Sequence, residues 1–119
     1  DGRLIEMMEH YAAAVSGSGM EHVVFGHIGE NHLHANVLPR SDAEYARGRE
    51  IILGCMRKGV SLGGTISAEH GVGKIKHQFL EVMYGPEGIR EMARLKKALD
   101  PNWLLGLDTM FPRELGASL

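Results

Sequence analysis

A histidine-rich stretch, FGHIGENHLHANVLP (25–39), constrains the fold of this chain more than any other feature. It holds three of the chain's seven histidines within eight positions, and glycine and asparagine interrupt its centre. Apolar, β-rich residues on either side of Gly29-Glu30-Asn31 predict two strands, at 22–28 and 33–38, joined by a turn. The stretch therefore predicts a β-hairpin with imidazoles close to its turn.

The side chains of the second strand are predicted to separate into a polar face and a core face. Side chains alternate along a strand, so His32, His34 and Asn36 share one face, and the apolar residues between them line the other. His27 precedes His34 by seven positions, which would place the two on opposite faces of one straight strand. A turn at Gly29 removes this conflict because it folds the two strands side by side.

A second glycine-rich motif, GGTISAEHGVGK (63–74), places an acid directly before a histidine at Glu69 and His70. Adjacent side chains in an extended chain do not readily point the same way. We therefore expect a division of labour, in which one group binds a metal and the other transfers protons. The unperturbed pKa of histidine, about 6.5, makes it the natural general base near neutral pH.

The rest of the chain is predicted to be mainly helical. Apolar residues at three- and four-residue spacing predict a helix over 2–16 that ends at a Ser-Gly-Ser-Gly breaker. A capping box, Ser41-Asp42-Ala43-Glu44, begins a helix running to about Lys58. A short helix stops at Gly85, and Pro86 begins another that ends at Asp100-Pro101. Helices packed on a small antiparallel sheet make the predicted fold class α+β.

Composition limits the class of protein. The 119 residues are 44% hydrophobic and 24% charged with a net charge of −2, which is typical of one globular domain. The pI of about 6.4 argues against a nucleic-acid partner. Since we find neither a run of roughly 20 apolar residues nor a signal-peptide pattern, the expected location is cytoplasmic. The chain opens within a helical pattern and without Met, so we expect a fragment of a longer protein.

Candidate metal ligands are imidazoles and a carboxylate. Cys55 is the only cysteine and is predicted to be a small buried hydrophobic residue, so nitrogen and oxygen must provide the ligands. His27, His34 and Glu69 form a set suited to zinc, manganese or iron, with positions left for a substrate. The alternative for each histidine is a packed or solvated side chain.

Both motifs together resemble the C-terminal domain of the FAD-linked oxidases, a family that includes D-lactate dehydrogenase, the glycolate oxidase flavin subunit and D-2-hydroxyglutarate dehydrogenase. The family pattern is close to GHxGDGNLH followed by SxEHGxG, and LKKALDPNWLLG (95–106) is similar to its closing helix and tail. The resemblance implies a fragment of a ferredoxin-like cap domain. It also implies that His27, His34 and Glu69 bind a divalent metal, with zinc expected, and that His70 removes the hydroxyl proton of a 2-hydroxy acid while hydride passes to FAD.

The chain departs from the family pattern at two places. Glu30-Asn31-His32 stands where the family has Asp-Gly-Asn, so His32 is expected to be a substrate contact or an extra ligand, with Asn36 as a further substrate contact. Gly106-Leu107-Asp108-Thr109 replaces Asn-Pro-Gly-Lys, which removes a cofactor contact that the family pattern implies.

The resemblance also implies partners. Residues 1–119 are expected to be the C-terminal part of the cap domain, with FAD bound mainly by a preceding domain of the same polypeptide, so that the chain alone lacks redox activity. Open sheet edges would allow a homodimer, and an electron-acceptor protein is a further candidate partner. Two alternatives stay open: a metal- or small-ligand-binding domain without catalysis, and a structural domain.

Overall fold

The computed structural model describes residues 2–67 and 69–118. Its helices and strands follow the order α1 (Gly2–Ala14), β1 (His22–His27), β2 (His32–Val37), α2 (Asp42–Ser61) and α3 (His77–Leu99), with short 3-10 turns between them and near the C-terminus. The chain divides into two compact units, Asp1–Gly64 and Thr65–Leu119. The predicted α+β fold class is confirmed.

In the first unit, α1 packs against α2, and the β1–β2 hairpin forms the two-stranded sheet. The Ser-Gly-Ser-Gly breaker ends α1 as predicted, since Ser16–Ser18 forms a 3-10 turn and Gly19 adopts a left-handed φ of 74°. Val15 is fully buried, but Ile5 is 58% exposed and Met8 43% exposed. The apolar stripe that predicted this helix is therefore only partly buried.

The α2 helix shows how local sequence sets helix ends. Ser41 Oγ accepts a hydrogen bond from the Glu44 amide at 3.2 Å, as the capping box predicts, whereas the Glu44 carboxylate accepts from the Arg40 amide at 2.6 Å. The helix runs three residues beyond the predicted end. It ends in a Schellman motif, in which the amides of Gly63 and Gly64 donate to the carbonyls of Val60 and Gly59. Gly63 supplies the left-handed conformation at φ 80°.

Cys55 is only 3% exposed, which confirms the prediction of a small buried hydrophobic residue. Burial raises the pKa of its thiol to about 11. Burial also raises the pKa of Tyr11, with a smaller contribution from Cys55.

In the second unit, α3 consists of two helical segments separated at Gly85, whose φ of 66° and ψ of 174° are not helical. This confirms the predicted break, and Pro86 begins the second segment, where its missing N–H costs no helical hydrogen bond. The core of this unit comes from the loop before α3, from both segments of α3 and from the C-terminal tail: Ile66, Phe79, Leu80, Ala93, Trp103 and Phe111. Within residues 2–67 and 69–118, no helix combines the length and apolar character that crossing a membrane requires.

Candidate functional site: a histidine-bearing hairpin and an acid–histidine pair

The hairpin register decides which side chains share a face. β1 and β2 are antiparallel, with His27 opposite His32 and Phe25 opposite His34. Directly opposed residues of an antiparallel pair project from the same side of the sheet, and every second residue repeats that side. His27, His32 and His34 therefore lie on one face together with Phe25 and Asn36. The prediction that the turn folds the two strands side by side is confirmed.

The turn itself is four residues long. Ile28–Glu30 forms a single 3-10 turn, and Asn31 follows in the left-handed conformation with φ 55°. Asparagine tolerates this region better than most residues because its short polar side chain bonds locally. β1 ends at His27, one residue earlier than predicted, and β2 begins at His32, also one residue earlier than predicted. The two histidines beside the turn therefore both belong to the strands.

Neither face of the hairpin forms a buried core. Val23, Val24 and Phe25 are 44%, 40% and 51% exposed, which contradicts the expectation of one core face and one polar face. On the side opposite the histidines, Val37 lies beside Gly48 of α2, where a Cβ on the glycine would stand 3.6 Å from the valine side chain. Contact with α2 at this end of the sheet leaves much of β1 uncovered.

The three imidazoles follow one another across the turn end of the hairpin. The ring centroids of His27 and His32 are 5.5 Å apart, and those of His32 and His34 are 4.5 Å apart. Ring nitrogens of His32 and His34 lie within 4.8 Å of each other. His32 is thus next to both of the histidines predicted as ligands.

Phe25 fixes the orientation of one of these rings. It stacks on His34 with ring centroids 4.9 Å apart and an interplanar angle of 25°. The sequence analysis did not include Phe25 in the site. The sequence did allow this contact to be predicted, because a register that pairs His27 with His32 also pairs Phe25 with His34.

Glu69 and His70 belong to the second compact unit and form a pair with each other. His70 Nε2 lies 3.1 Å from Glu69 Oε1, and both side chains are more than half exposed. The expectation that the two point apart is therefore wrong. The backbone is bent here rather than extended: Gly71 has a φ of 68°, and Ser67 Oγ donates a hydrogen bond to the Gly71 carbonyl at 2.7 Å.

This pairing has a consequence for the histidine tautomer. An ionised carboxylate can only accept hydrogen bonds, so the proton of a neutral His70 ring is held on Nε2, facing Glu69. The lone pair then resides on Nδ1. A carboxylate that fixes the tautomer and orientation of an imidazole is the arrangement found around general bases.

Comparison with known proteins agrees with these motifs. Residues 2–106 match the family described as FAD linked oxidases, C-terminal domain. The chain belongs to this family.

The chain is similar to several curated proteins. It is 38% identical over 92 residues to the glycolate oxidase subunit GlcD of Bacillus subtilis, covering 76% of this chain and 20% of that protein. It is 33% identical over 107 residues to a D-2-hydroxyglutarate dehydrogenase of Stutzerimonas stutzeri, covering 87% and 22%. A mitochondrial D-lactate dehydrogenase [cytochrome] of Arabidopsis thaliana is 28% identical over 111 residues, covering 92% and 20%. The chain thus spans about one fifth of the length of these relatives.

Proposed function

We propose that this chain is the substrate- and metal-binding part of the C-terminal domain of a flavin-dependent 2-hydroxy acid dehydrogenase or oxidase. The observation that carries the proposal is the Glu69–His70 pair, with 3.1 Å between Oε1 and Nε2, in a chain of the FAD-linked oxidase family. Relatives named for glycolate, D-lactate and D-2-hydroxyglutarate support a small 2-hydroxy acid as the substrate. A preceding domain of the same polypeptide would bind FAD.

His70 is the proposed general base. With Nε2 turned toward Glu69, Nδ1 is the nitrogen that takes the proton of the substrate hydroxyl. A positioned base of this kind contributes about 10²- to 10⁴-fold to the rate of a proton transfer. Glu69 stabilises the imidazolium that forms, because its negative charge lies next to the protonated ring.

His27, His34 and Glu69 are the proposed ligands of a divalent metal, and zinc suits them. Imidazole nitrogen and carboxylate oxygen are both common zinc ligands, and the hairpin register places His27 and His34 on the same face of the sheet. Glu69 can serve both roles, since a carboxylate has two oxygens and about four acceptor positions. Bound FAD would supply the hydride acceptor, and a bound metal would supply a Lewis acid for the α-hydroxyl and carboxylate.

Asn36 is the proposed substrate contact on the hairpin. It lies on the same strand face as His32 and His34, opposite Val23, and its side chain is exposed. An amide carries both donors and acceptors. It can therefore bind a carboxylate oxygen of the substrate without adding a charge that competes with the metal.

The test uses the full-length polypeptide with His70→Ala, and with His77→Ala as a control. His77 lies in the same unit, and its Nδ1 bonds the Lys74 carbonyl at 2.6 Å, a role confined to the local backbone. Bleaching of the flavin absorbance is followed without oxygen after adding D-lactate, glycolate or D-2-hydroxyglutarate. We expect His70→Ala to retain FAD but to slow bleaching at least about 100-fold, with His77→Ala close to wild type. Equal rates in wild type and His70→Ala would rule out the base assignment.

A second function is supported by the placement of His27, His32 and His34 on one hairpin face within one compact unit. This is a metal- or small-ligand-binding domain without catalysis. A colourless full-length protein that binds stoichiometric zinc would favour it over the dehydrogenase. The cytoplasmic location, a homodimer and an electron-acceptor partner stay predictions.

A further inference from the structure

His32 is the hairpin histidine with an imidazole neighbour on each side. Its register partner across the strands is His27, and His34 follows two positions later on the same strand face. The ring centroid distances are 5.5 Å to His27 and 4.5 Å to His34. A hairpin ligand set of His27 and His34 alone would not include His32, although its ring lies between theirs.

We propose that His32 is itself a metal ligand, so that the hairpin contributes a set of imidazoles centred on His32. This inference rests on the proposed metal site and deepens it. Two imidazole nitrogens on a tetrahedral zinc ion, each about 2.0–2.1 Å from the ion, are about 3.3 Å apart. The nitrogens of His32 and His34 lie within 4.8 Å of each other. Rotation of the two side chains about χ1 and χ2 must bring them together by about 1.5 Å or less.

The arrangement fits a cation better than a direct contact between His32 and the substrate. A contact with the substrate needs only one ring nitrogen directed at it, and no second imidazole beside it. What the hairpin provides is convergence, in which ring nitrogens of His32 and His34 approach each other on one face. Stacking against Phe25 holds His34 in this orientation, and the backbone ladder fixes the spacing of the strands.

A further imidazole also changes which metals the site favours. Imidazole suits zinc, copper, nickel and iron, whereas carboxylate, carbonyl and water ligands suit magnesium, calcium and manganese. With His32 included, three imidazoles instead of two accompany the one carboxylate. We therefore expect the site to take Zn²⁺ or Co²⁺ in preference to Mn²⁺ or Mg²⁺, and His32→Asn to reduce that preference.

The experiment measures metal affinity in the metal-free full-length polypeptide, by competition with a chromophoric chelator for Zn²⁺ and from the visible spectrum of bound Co²⁺. The variants are His32→Asn and His34→Asn, with His22→Asn as the matched control. His22 lies on β1 but on the opposite face, where its ring bonds Met20 and Ser16. We expect His32→Asn to weaken Zn²⁺ binding at least about tenfold and to alter the Co²⁺ spectrum, while His22→Asn changes neither.

The possible outcomes separate this inference from the proposed function. If His34→Asn weakens Zn²⁺ binding and His32→Asn does not, His32 is not a ligand but the metal site stands. If the wild-type protein binds no Zn²⁺, the proposed zinc site and the assignment of His32 as its ligand are both wrong. Should His32→Asn disturb folding, diethylpyrocarbonate labelling of wild-type protein decides instead. Zn²⁺ must protect His32 from labelling, and equal labelling with and without Zn²⁺ overturns the inference.

Discussion

Gly26 allows the two strands to approach closely at the position between Phe25 and His27. Its φ of +147° lies in a region that residues with a side chain rarely adopt. A Cβ built on it would stand 2.2 Å from the His32 carbonyl oxygen and 3.0 Å from the Leu33 Cα. Both are backbone atoms, so the clash cannot be relieved by rotating a side chain. The spacing of the histidine face therefore depends on a residue that contributes no side chain to it.

We expect Gly26→Ala in the full-length protein to destabilise the hairpin locally by about 2 kcal/mol or more, because backbone strain of this kind costs roughly 1–3 kcal/mol and the steric clash adds to it. Hydrogen–deuterium exchange over residues 22–37 measures the effect. Gly29→Ala is the control, since no atom lies within 4 Å of a Cβ there. Equal exchange in the two variants would show that the close approach at Gly26 does not support the hairpin.

At the scale of elements, Asp100 ties the end of α3 to the segment that follows it. Its carboxylate accepts hydrogen bonds from Lys96 Nζ at 2.6 Å and from the amides of Leu104 and Leu105 at 3.0 and 2.9 Å. Lys96 also lies over the Trp103 ring, 4.6 Å from its centroid. One carboxylate thus satisfies backbone donors beyond the helix end and holds the turn in place.

These contacts predict how the segment responds to acid. Hydrogen bonding to Lys96, then to the amides of Leu104 and Leu105, lowers the pKa of Asp100 to about 2 from the usual 3.8. A carboxyl whose pKa is lower in the folded state stabilises the fold above its unfolded pKa. That contribution is lost progressively as the pH falls from about 4 toward 2. Protection of the Leu104 and Leu105 backbone amides against hydrogen exchange should fall over this pH range.

Asp100→Asn provides the control for this pH dependence. The asparagine side chain cannot ionise. The backbone amides of residues 104 and 105 should therefore be less protected against hydrogen exchange at neutral pH, with little further loss on acidification to about pH 2. A wild-type protein whose protection in this segment does not change between pH 4 and pH 2 would contradict the assignment to Asp100.

At the scale of the whole molecule, much apolar surface is uncovered in both units. The hairpin exposes Val23, Val24 and Phe25 to between 40% and 51%, and in the second unit Leu99 is 79% exposed. Among the described residues the sheet contains only β1 and β2, so each strand has one edge without a strand partner. Two-stranded hairpins are marginally stable in water, and open edges pair readily with other chains. The relatives, about five times longer, contain chain that could cover such surfaces.

We expect residues 1–119, produced alone, to self-associate as the concentration rises, which sedimentation velocity measures. Val24→Lys should weaken this association because a lysine on a strand opposes edge-to-edge pairing. Ala13→Lys, at an exposed position of α1, adds the same charge away from the sheet and should leave association unchanged. A chain that stays monomeric at all concentrations, or two variants that behave alike, would contradict association through the hairpin.

Local sequence alone predicts the helices and strands, with their ends placed to within a few residues. The Ser41 cap, the Gly63 and Gly85 breaks and the hairpin turn were predictable because each depends on φ preferences and hydrogen bonds within a few residues. The family was predictable for a similar reason, since both motifs are short and contiguous.

Which side chains meet and which faces are covered depends on contacts between segments that are distant in the sequence. Alternation placed His32 and His34 on one face, but the cross-strand register placed His32 between two imidazoles. Glu69 faces His70 instead of pointing away, in a bent stretch of backbone that also contains the left-handed Gly71. Burial of an apolar strand face depends on which elements pack against it, and alternation along a strand carries no information about those partners.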